Sequence, residues 1–432
     1  MSQDAAKPVR RFPVSIPAAF TKRFNKEQRN FWLHVLNGIF FAMSEALADI
    51  QLIITALLSQ LTTSSVLIGL LAPLRDTGWF LPQLFLSHLA ERTERKIVFY
   101  RVSTIFRFIG WIGLVAGLLL LEDPTQILWA FFISMSMIAF WAGVGGLGYM
   151  TVTAKVIPVN RRGLLFGVRE FLGGALAIAI GGVGALILGG KIGSITLAFP
   201  HNYGLLFAVS AVLFLLGSLS FCVINEPPDS LPAHHNSFTG QMRRAWQVAR
   251  QDADFRHFIV TRAAILFARA GVPFITVYAK RYVGVSDAFI GTLVSITIGS
   301  ALLAGLFLGR LNDRRGSGIV VRLAIVFGAA QIALALLVMF THSVPFIVLA
   351  FVLGGISNAG FNVSLSPLIL HISPDHERPL YIGLGNTLLG VVMLLTSLVG
   401  LIAAGAGFAA LFVFCLVCFA LAFERVSRMR LA

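Results

Sequence analysis

Long apolar runs constrain the fold of this chain more than any other feature. Each run is close to the ~20 residues that a helix needs to cross the hydrocarbon core of a bilayer. Inside lipid a backbone must satisfy its own hydrogen bonds, so these runs are predicted to be helices. The predicted spans, numbered 1 to 12 in chain order, are 31–57, 65–88, 97–121, 125–151, 167–190, 203–224, 257–281, 288–309, 318–340, 344–370, 381–402 and 405–423.

The composition indicates the same class of protein. Of 432 residues, 57% are hydrophobic and 12% are charged, and a soluble domain carries roughly twice that charged fraction. The predicted fold class is therefore an all-α membrane protein. Its predicted segments are an N-terminal segment 1–30, a first six-helix bundle 31–224, a linker with an amphipathic helix 225–256, a second six-helix bundle 257–423 and a tail 424–432.

Basic residues mark one side of the predicted membrane protein. They concentrate in the N-terminal segment, in the central linker and in the loops after spans 2, 4 and 8, whereas the alternate loops hold only Lys191, Lys280 and Arg281. By the positive-inside rule, both termini are predicted to be cytoplasmic, as in a multi-pass protein of the plasma (inner) membrane. The net charge of +15 is then an orientation signal. It favours anionic lipid over nucleic acid as the partner.

The second half of the chain repeats the first. The segment 309–316, Gly-Arg-Leu-Asn-Asp-Arg-Arg-Gly, is echoed about half a chain earlier by 87–94, Ser-His-Leu-Ala-Glu-Arg-Thr-Glu. A second pair agrees, because the pattern of 158–167 recurs at 374–383. Two similar halves of a membrane protein usually pack around a pseudo-twofold axis. The interface between the halves is the expected place for a substrate path.

The chain resembles the major facilitator superfamily of secondary transporters. The resemblance rests on the twelve spans, the six-plus-six repeat and a G-x-L-x-D-R-x-G loop after spans 2 and 8. The later loop fits this pattern, whereas the earlier copy has Ser87, Glu91 and Glu94 where Gly, Asp and Gly are usual. Span 5 lacks the proline-containing pattern of proton-antiporting drug exporters. The resemblance implies two six-helix bundles and a cytoplasmic gate formed by Glu91, Arg92, Gly309, Asp313, Arg314 and Gly316.

A gate of this kind has a simple physical basis. A carboxylate at the end of one helix can lie against the positive N-terminus of another, and a neighbouring arginine adds a charge-assisted hydrogen bond. By family analogy, Asp313 is expected beside the start of span 5, near 163–169, and Glu91 beside the start of span 11, near 379–383. The alternative is that both are ordinary solvated loop charges.

Seven charged residues within the spans are the candidates for a substrate or proton pathway. A charge inside lipid costs at least ~2.5 kcal/mol, so each should face a partner or a watery cavity. Helical spacing places the two acids of span 1 on one face and the two arginines of span 7 on one face. The resemblance implies that spans 1 and 7 line the cavity. The seven are Glu45, Asp49, Arg75, Asp76, Arg107, Arg262 and Arg269.

Two interpretations of these charges stay open. The four charges of spans 1 and 7 are the preferred candidates for substrate or proton contacts. For Arg75, Asp76 and Arg107, a structural pairing between spans 2 and 3 is an equal alternative.

Several sequence motifs occur in settings where their usual function is not expected. Cys415-x-x-Cys418 lies inside an apolar span, and so does the glycine-rich stretch 143–148, which follows no strand. His234-His235 lies in a proline-rich linker, and no P-loop is present. We therefore expect no metal site, no cofactor, no catalytic residues and no enzymatic activity.

The function predicted from the sequence is secondary active transport of a small solute by alternating access. The expected partners are a small-molecule substrate and the lipid bilayer, and the expected state is a monomer. Coupling to protons through Glu45 or Asp49 is a further hypothesis, because a carboxylate in a low-dielectric cavity can exchange protons near neutral pH. The alternatives are export of drugs or metabolites and, from another class, a non-transporting receptor or assembly factor on the same scaffold.

Overall fold

The computed structural model describes residues 26–71, 73–75, 77–79, 82–83, 86, 93–192, 195–228, 250–374 and 378–429. The regular secondary structure of this part of the chain is helical apart from one short antiparallel pair, Lys191–Ile192 with Ile195–Thr196. Ten of its helices are long and apolar enough to cross a membrane. The predicted all-helical membrane fold is therefore confirmed. The number of twelve spans and the arrangement in two bundles stay predictions, since span 2 is described only in pieces.

The described helices follow the predicted order. Span 1 comprises Lys26–Leu47, a π-helical turn Ile50–Ile54 and Thr55–Leu61, and span 2 begins with Ser65–Gly69. Spans 3 to 6 are Ile97–Leu120, Pro124–Val156, Val159–Leu188 and His201–Cys222. Span 7 comprises Ala253–Arg269, Val272–Tyr278 and a π-helical turn Ala279–Val283. Spans 8 to 10 are Asp287–Arg315, Ser317–Thr341 and Val344–Ile372, and span 11 begins with Arg378–Leu395.

The last helical stretch, Leu398–Ser427, belongs to two spans. Its backbone leaves the helix at Gly407, where φ is 81° and ψ is 174°. Glycine adopts this conformation without the steric cost that other residues meet. The residues before Gly407 therefore complete span 11 and those after it form span 12. The boundary predicted from the apolar pattern, between 402 and 405, lies a few residues too early.

Side-chain caps explain where several spans begin. Asp123 accepts a hydrogen bond from the amide of Thr125 at 2.8 Å, and Pro124 occupies the first helical position of span 4. Asp252 and Ser286 cap spans 7 and 8 in the same way. Each cap satisfies an amide that has no partner within its helix, and a proline at the first position loses no helical bond.

The spans pack mainly within their own half of the chain. In the first half, span 1 packs against spans 5 and 6, and span 3 packs against spans 4 and 6. In the second half, span 10 packs against spans 8 and 9, and span 12 against spans 7 and 9. Large apolar side chains such as Trp129, Phe307 and Phe340 are exposed on the outside. Such a surface suits lipid contact.

Small residues allow close approach between the two halves. A Cβ atom at Gly69 of span 2 would lie 2.7 Å from the Cα atom of Gly400 in span 11. A Cβ atom at Gly291 of span 8 would lie 2.6 Å from the Cα atom of Ala185 in span 5. Backbones can come this close only where side chains are absent, as at other membrane helix interfaces.

Candidate functional site

Span 1 is broken beside its two acidic residues. The first helix ends at Leu47, and Asp49 adopts an extended conformation with φ −62° and ψ 125°. The carboxylate of Asp49 accepts a hydrogen bond from the amide of Leu52 at 2.8 Å and so caps the π-helical turn. A short acidic side chain that accepts a hydrogen bond from a nearby backbone amide competes with helix continuation. The predicted placement of Glu45 and Asp49 on one face of a continuous helix is therefore wrong.

Span 7 is broken at the matching place beside an arginine. Its first helix ends at Arg269, and a new helix starts at Val272 with Pro273 in its first turn. Proline cannot donate the backbone hydrogen bond that a continuous helix needs. Arg262 and Arg269 both lie in the first helix, seven residues apart and so on one face, as predicted. The two matching spans are thus interrupted, each next to charged side chains.

Glu45 forms an ion pair with Arg75 of span 2. Its Oε1 atom lies 3.2 Å from Nη2 of Arg75, and the two side chains are 65% and 52% exposed. Charges that are this exposed at mid-span need water around them, because lipid would not solvate them. The pair therefore joins spans 1 and 2 in an open space. Asp76, the third candidate from this region, lies outside the described residues.

Arg107 of span 3 is held by aromatic rings. Its guanidinium carbon lies 4.5 Å from the ring centre of Phe214 in span 6 and 5.2 Å from that of Phe41 in span 1. Its Nε atom is buried and has no hydrogen-bond partner among the described residues. Contacts of this kind are cation–π interactions, which strengthen when desolvated. The described contacts of Arg107 thus connect span 3 to spans 1 and 6.

The two arginines of span 7 face different surroundings. Arg269 donates to the side-chain oxygen of Asn358 in span 10 at 3.0 Å and lies over the ring of Phe361, 5.7 Å from its centre. The Nε atom of Arg262 is buried and has no hydrogen-bond partner within the described part of the chain. These contacts of Arg269 lie in the second half. We predict that at least one of these two arginines lies within salt-bridge reach of Glu45 or Asp49 in some state of the cycle.

One end of the molecule is held together by polar contacts between the halves. The carboxylate of Asp287, at the start of span 8, accepts hydrogen bonds from Tyr203 of span 6 and Gln60 of span 1. Arg281 donates to the backbone oxygen of Ser59, and the hydroxyl of Thr276 donates to that of Gln51 at 2.7 Å. We call this end the closed end, and the opposite end, which carries the loops rich in lysine and arginine, the basic end.

The basic end is open between spans 5 and 8. Around Gly163 and Gly167 of span 5 and Gly309 of span 8, the space where a Cβ atom would project holds no described atom within 4 Å. A groove lined by 163–164, 167–168 and 171–172 opens along span 5. Nearer the closed end the same two spans touch, since Ser295 donates to the backbone oxygen of Ile178 at 2.9 Å.

Four of the six predicted gate residues, Gly309, Asp313, Arg314 and Gly316, lie at this open end. Asp313 and Arg314 are exposed, and Gly316 ends span 8 with φ 82°, a conformation that favours glycine. The predicted contact of Asp313 with the start of span 5 stays a prediction for a conformation in which this end closes. Glu91 and Arg92 lie outside the described residues.

One buried carboxylate, that of Glu226, is not among the site residues predicted from the sequence. It follows span 6, where the run Glu226-Pro-Pro suggested a linker. Its oxygens accept hydrogen bonds from the amides of Lys96 at 3.0 Å and Ile97 at 2.7 Å, at the start of span 3, and it pairs with Lys155 at the end of span 4. An acidic residue beside the proline-rich run was the only available signal.

The second half of the sequence matches a known protein family. The sequence model of the Major Facilitator Superfamily matches residues 258–427. No curated protein matches the sequence.

Solved structures match nearly the whole chain. A D-xylose-proton symporter has a TM-score of 0.69 and 15% identity, with 93% of this chain and 97% of that chain covered. A nucleoside transporter has a TM-score of 0.67 and 16% identity, with 94% and 99% covered. A bacterial homologue of the iron transporter ferroportin, in an inward-facing state, has a TM-score of 0.65 and 11% identity, with 93% and 99% covered. Together with the family match, this shared fold confirms the resemblance predicted from the sequence.

Proposed function

We propose that this chain, whose residues 258–427 match the Major Facilitator Superfamily model, is a secondary active transporter of a small solute. The solute binds in the space between the two halves, and alternating access carries it across the membrane. The observation that carries this proposal is the pair of breaks in spans 1 and 7. Transporter binding sites form where interrupted helices meet near the middle of the membrane.

The charged residues at the breaks supply the proposed contacts. Arg269 lies at the end of a helix segment. Its planar guanidinium can bind an oxygen of the solute once its hydrogen bond to Asn358 breaks. Arg262 lies on the same face and supplies a second positive charge. Glu45 is paired with Arg75 in an open space, so binding a proton or a solute can separate the pair. Asp49 stabilises the break in span 1 by accepting a hydrogen bond from the backbone amide of Leu52.

The orientation follows from the basic loops. We place the basic end, the termini and the linker 225–256 in the cytoplasm. The described conformation is then open towards the cytoplasm and closed towards the outside. In the other half of the cycle, Asp313 and Arg314 meet the start of span 5 and close the inner side, while the contacts of the closed end separate.

Uptake of a panel of labelled solutes into proteoliposomes tests the proposal. We expect saturable uptake of one chemical class, and Glu45→Gln should reduce its response to an imposed pH gradient if protons drive transport. The matched control is Glu122→Gln, an exposed acid in the loop between spans 3 and 4. Absence of saturable uptake by folded wild-type protein across a panel of sugars, nucleosides, carboxylates, amines and drugs would favour the non-transporting alternative.

A further inference from the structure

Asp287 is the centre of a network of hydrogen bonds at the closed end. Its Oδ1 atom accepts a hydrogen bond from the hydroxyl of Tyr203 at 2.7 Å and one from the side-chain amide (Nε2) of Gln60 at 3.2 Å. It also forms an ion pair with Lys280. The side chain of Asp287 is 16% exposed and that of Lys280 is 13% exposed. The carboxylate is thus largely withdrawn from water and relies on these partners.

The partners of Asp287 come from both halves of the chain. Gln60 ends span 1 and Tyr203 begins span 6, whereas Lys280 belongs to span 7 and Asp287 begins span 8. Tyr203 is fully buried, so its hydroxyl cannot turn to bulk water while this end is closed. Hydrogen bonds to a charged group in such a place are stronger than exposed ones, and leaving them unmade is costly.

Arg281 makes a second connection between the halves. Its guanidinium donates to the backbone oxygens of Ser59, Thr62 and Thr63, where span 1 ends. The last carbonyl groups of a helix lack partners within the helix and carry partial negative charge. A cation from span 7 therefore caps a helix of the other half. In the sequence, Lys280 and Arg281 are also two of the three basic residues found at the side of the predicted membrane protein that is otherwise free of them.

We propose that Asp287 and Arg281 are the gate residues of the closed end, and that the bonds they make across the halves set how often this end opens. The proposal rests on the transport cycle proposed above. Both residues flank the short connection between spans 7 and 8, so they move with the second half as one unit. When the halves separate at this end, the carboxylate loses two donors and the end of span 1 loses its cap. Weakening either residue should therefore favour the opposite conformation.

Distances between spin labels test the gate without knowledge of the solute. In protein with Cys222, Cys415 and Cys418 changed to alanine, one label pair spans the closed end at Gln126→Cys and Thr341→Cys. A second pair spans the basic end at Leu164→Cys and Arg310→Cys. All four labelled positions are exposed. Double electron–electron resonance then reports the population of each conformation in detergent or nanodiscs.

Asp287→Asn should raise the population with a long closed-end distance about tenfold, the factor for one lost hydrogen bond to a charged group. Tyr203→Phe removes one donor while keeping the buried ring, and Arg281→Gln removes the cap, so both should act in the same direction. Glu122→Gln removes an acid from the same end that has no described contact across the halves. This control should leave the distances of both label pairs unchanged.

The two label pairs separate this proposal from the transport cycle. Longer closed-end distances with shorter basic-end distances support both the proposed gate and alternating access. Longer closed-end distances with an unchanged basic end support the gate and contradict alternating access. An unchanged closed end in folded Tyr203→Phe and Arg281→Gln overturns the gate, whether or not Asp287→Asn folds, and leaves uptake to decide the transport function.

Discussion

At the scale of single residues, four of the charges inside the spans are held in three ways. Glu45 and Arg75 pair in an open space, Arg107 lies on aromatic rings, and Arg269 bonds to an amide. The sequence identified these residues because a charge within an apolar run is costly. It did not identify their partners. Those depend on which helices become neighbours, and nothing in a single apolar pattern records that.

Arg269 provides the prediction at this scale. Arg269→Lys keeps the charge but loses the planar fork that binds two oxygens, and it should impair transport while the protein still inserts and folds. Uptake by proteoliposomes and thermal unfolding measure the two effects separately. Wild-type uptake by Arg269→Ala for every transported solute would remove this arginine from the proposed site. Rescue of Arg269→Ala by Glu45→Gln would instead make it an ion-pair partner.

At the scale of helices, the apolar pattern predicted the order and approximate bounds of the spans but not their interruptions. Span 1 breaks where the Asp49 carboxylate accepts a hydrogen bond from the backbone amide of Leu52, and span 12 begins after a glycine with positive φ. Both features occur within runs that remain apolar, so a pattern of hydrophobicity passes over them. Glu226 was missed for a related reason. Its partners lie on two other spans, whereas in the sequence it is followed by two prolines.

Glu226 provides the prediction at the scale of helices. Glu226→Gln removes the charge that caps span 3 and leaves the largely buried Lys155 without this counter-ion. We expect the free energy of unfolding to fall by about 2 kcal/mol or more, the range for breaking buried hydrogen bonds to a charged group. Thermal unfolding of purified protein should show a transition lowered by several degrees. Glu94→Gln, an exposed acid near the same end, is the matched control, and an equal shift in both variants would contradict the proposed cap.

At the scale of the whole molecule, the apolar runs predicted the fold class, and the twelve spans, the repeat and the loop motif predicted the family resemblance. The sequence could not show which end is closed, because that depends on contacts between residues far apart in the chain. The closed end uses Lys280 and Arg281, which the sequence marked only as exceptions to the basic loops. Their contacts, of Arg281 with span 1 and of Lys280 with span 8, form only in the folded chain.

The predicted orientation can be measured in intact cells. His235→Cys, in the linker, and Arg315→Cys, at the end of span 8, should escape a membrane-impermeant maleimide added from outside. Tyr282→Cys, which is exposed near the closed end, should react with it. All three should react after permeabilisation, which controls for buried or unfolded cysteines. The opposite labelling pattern would reverse the orientation and make the described conformation open to the outside.

A reversible lock on the closed end tests the central claim of alternating access most directly. A Cβ atom at Gly181 would lie 3.5 Å from the Cβ atom of Ser295, within the spacing that a disulfide needs. Gly181→Cys with Ser295→Cys, in protein whose native cysteines are alanine, should therefore join spans 5 and 8 upon oxidation. We predict that oxidation abolishes solute uptake by proteoliposomes and that reduction restores it, while each single cysteine variant is insensitive to both treatments. Full uptake by the cross-linked protein would contradict the account.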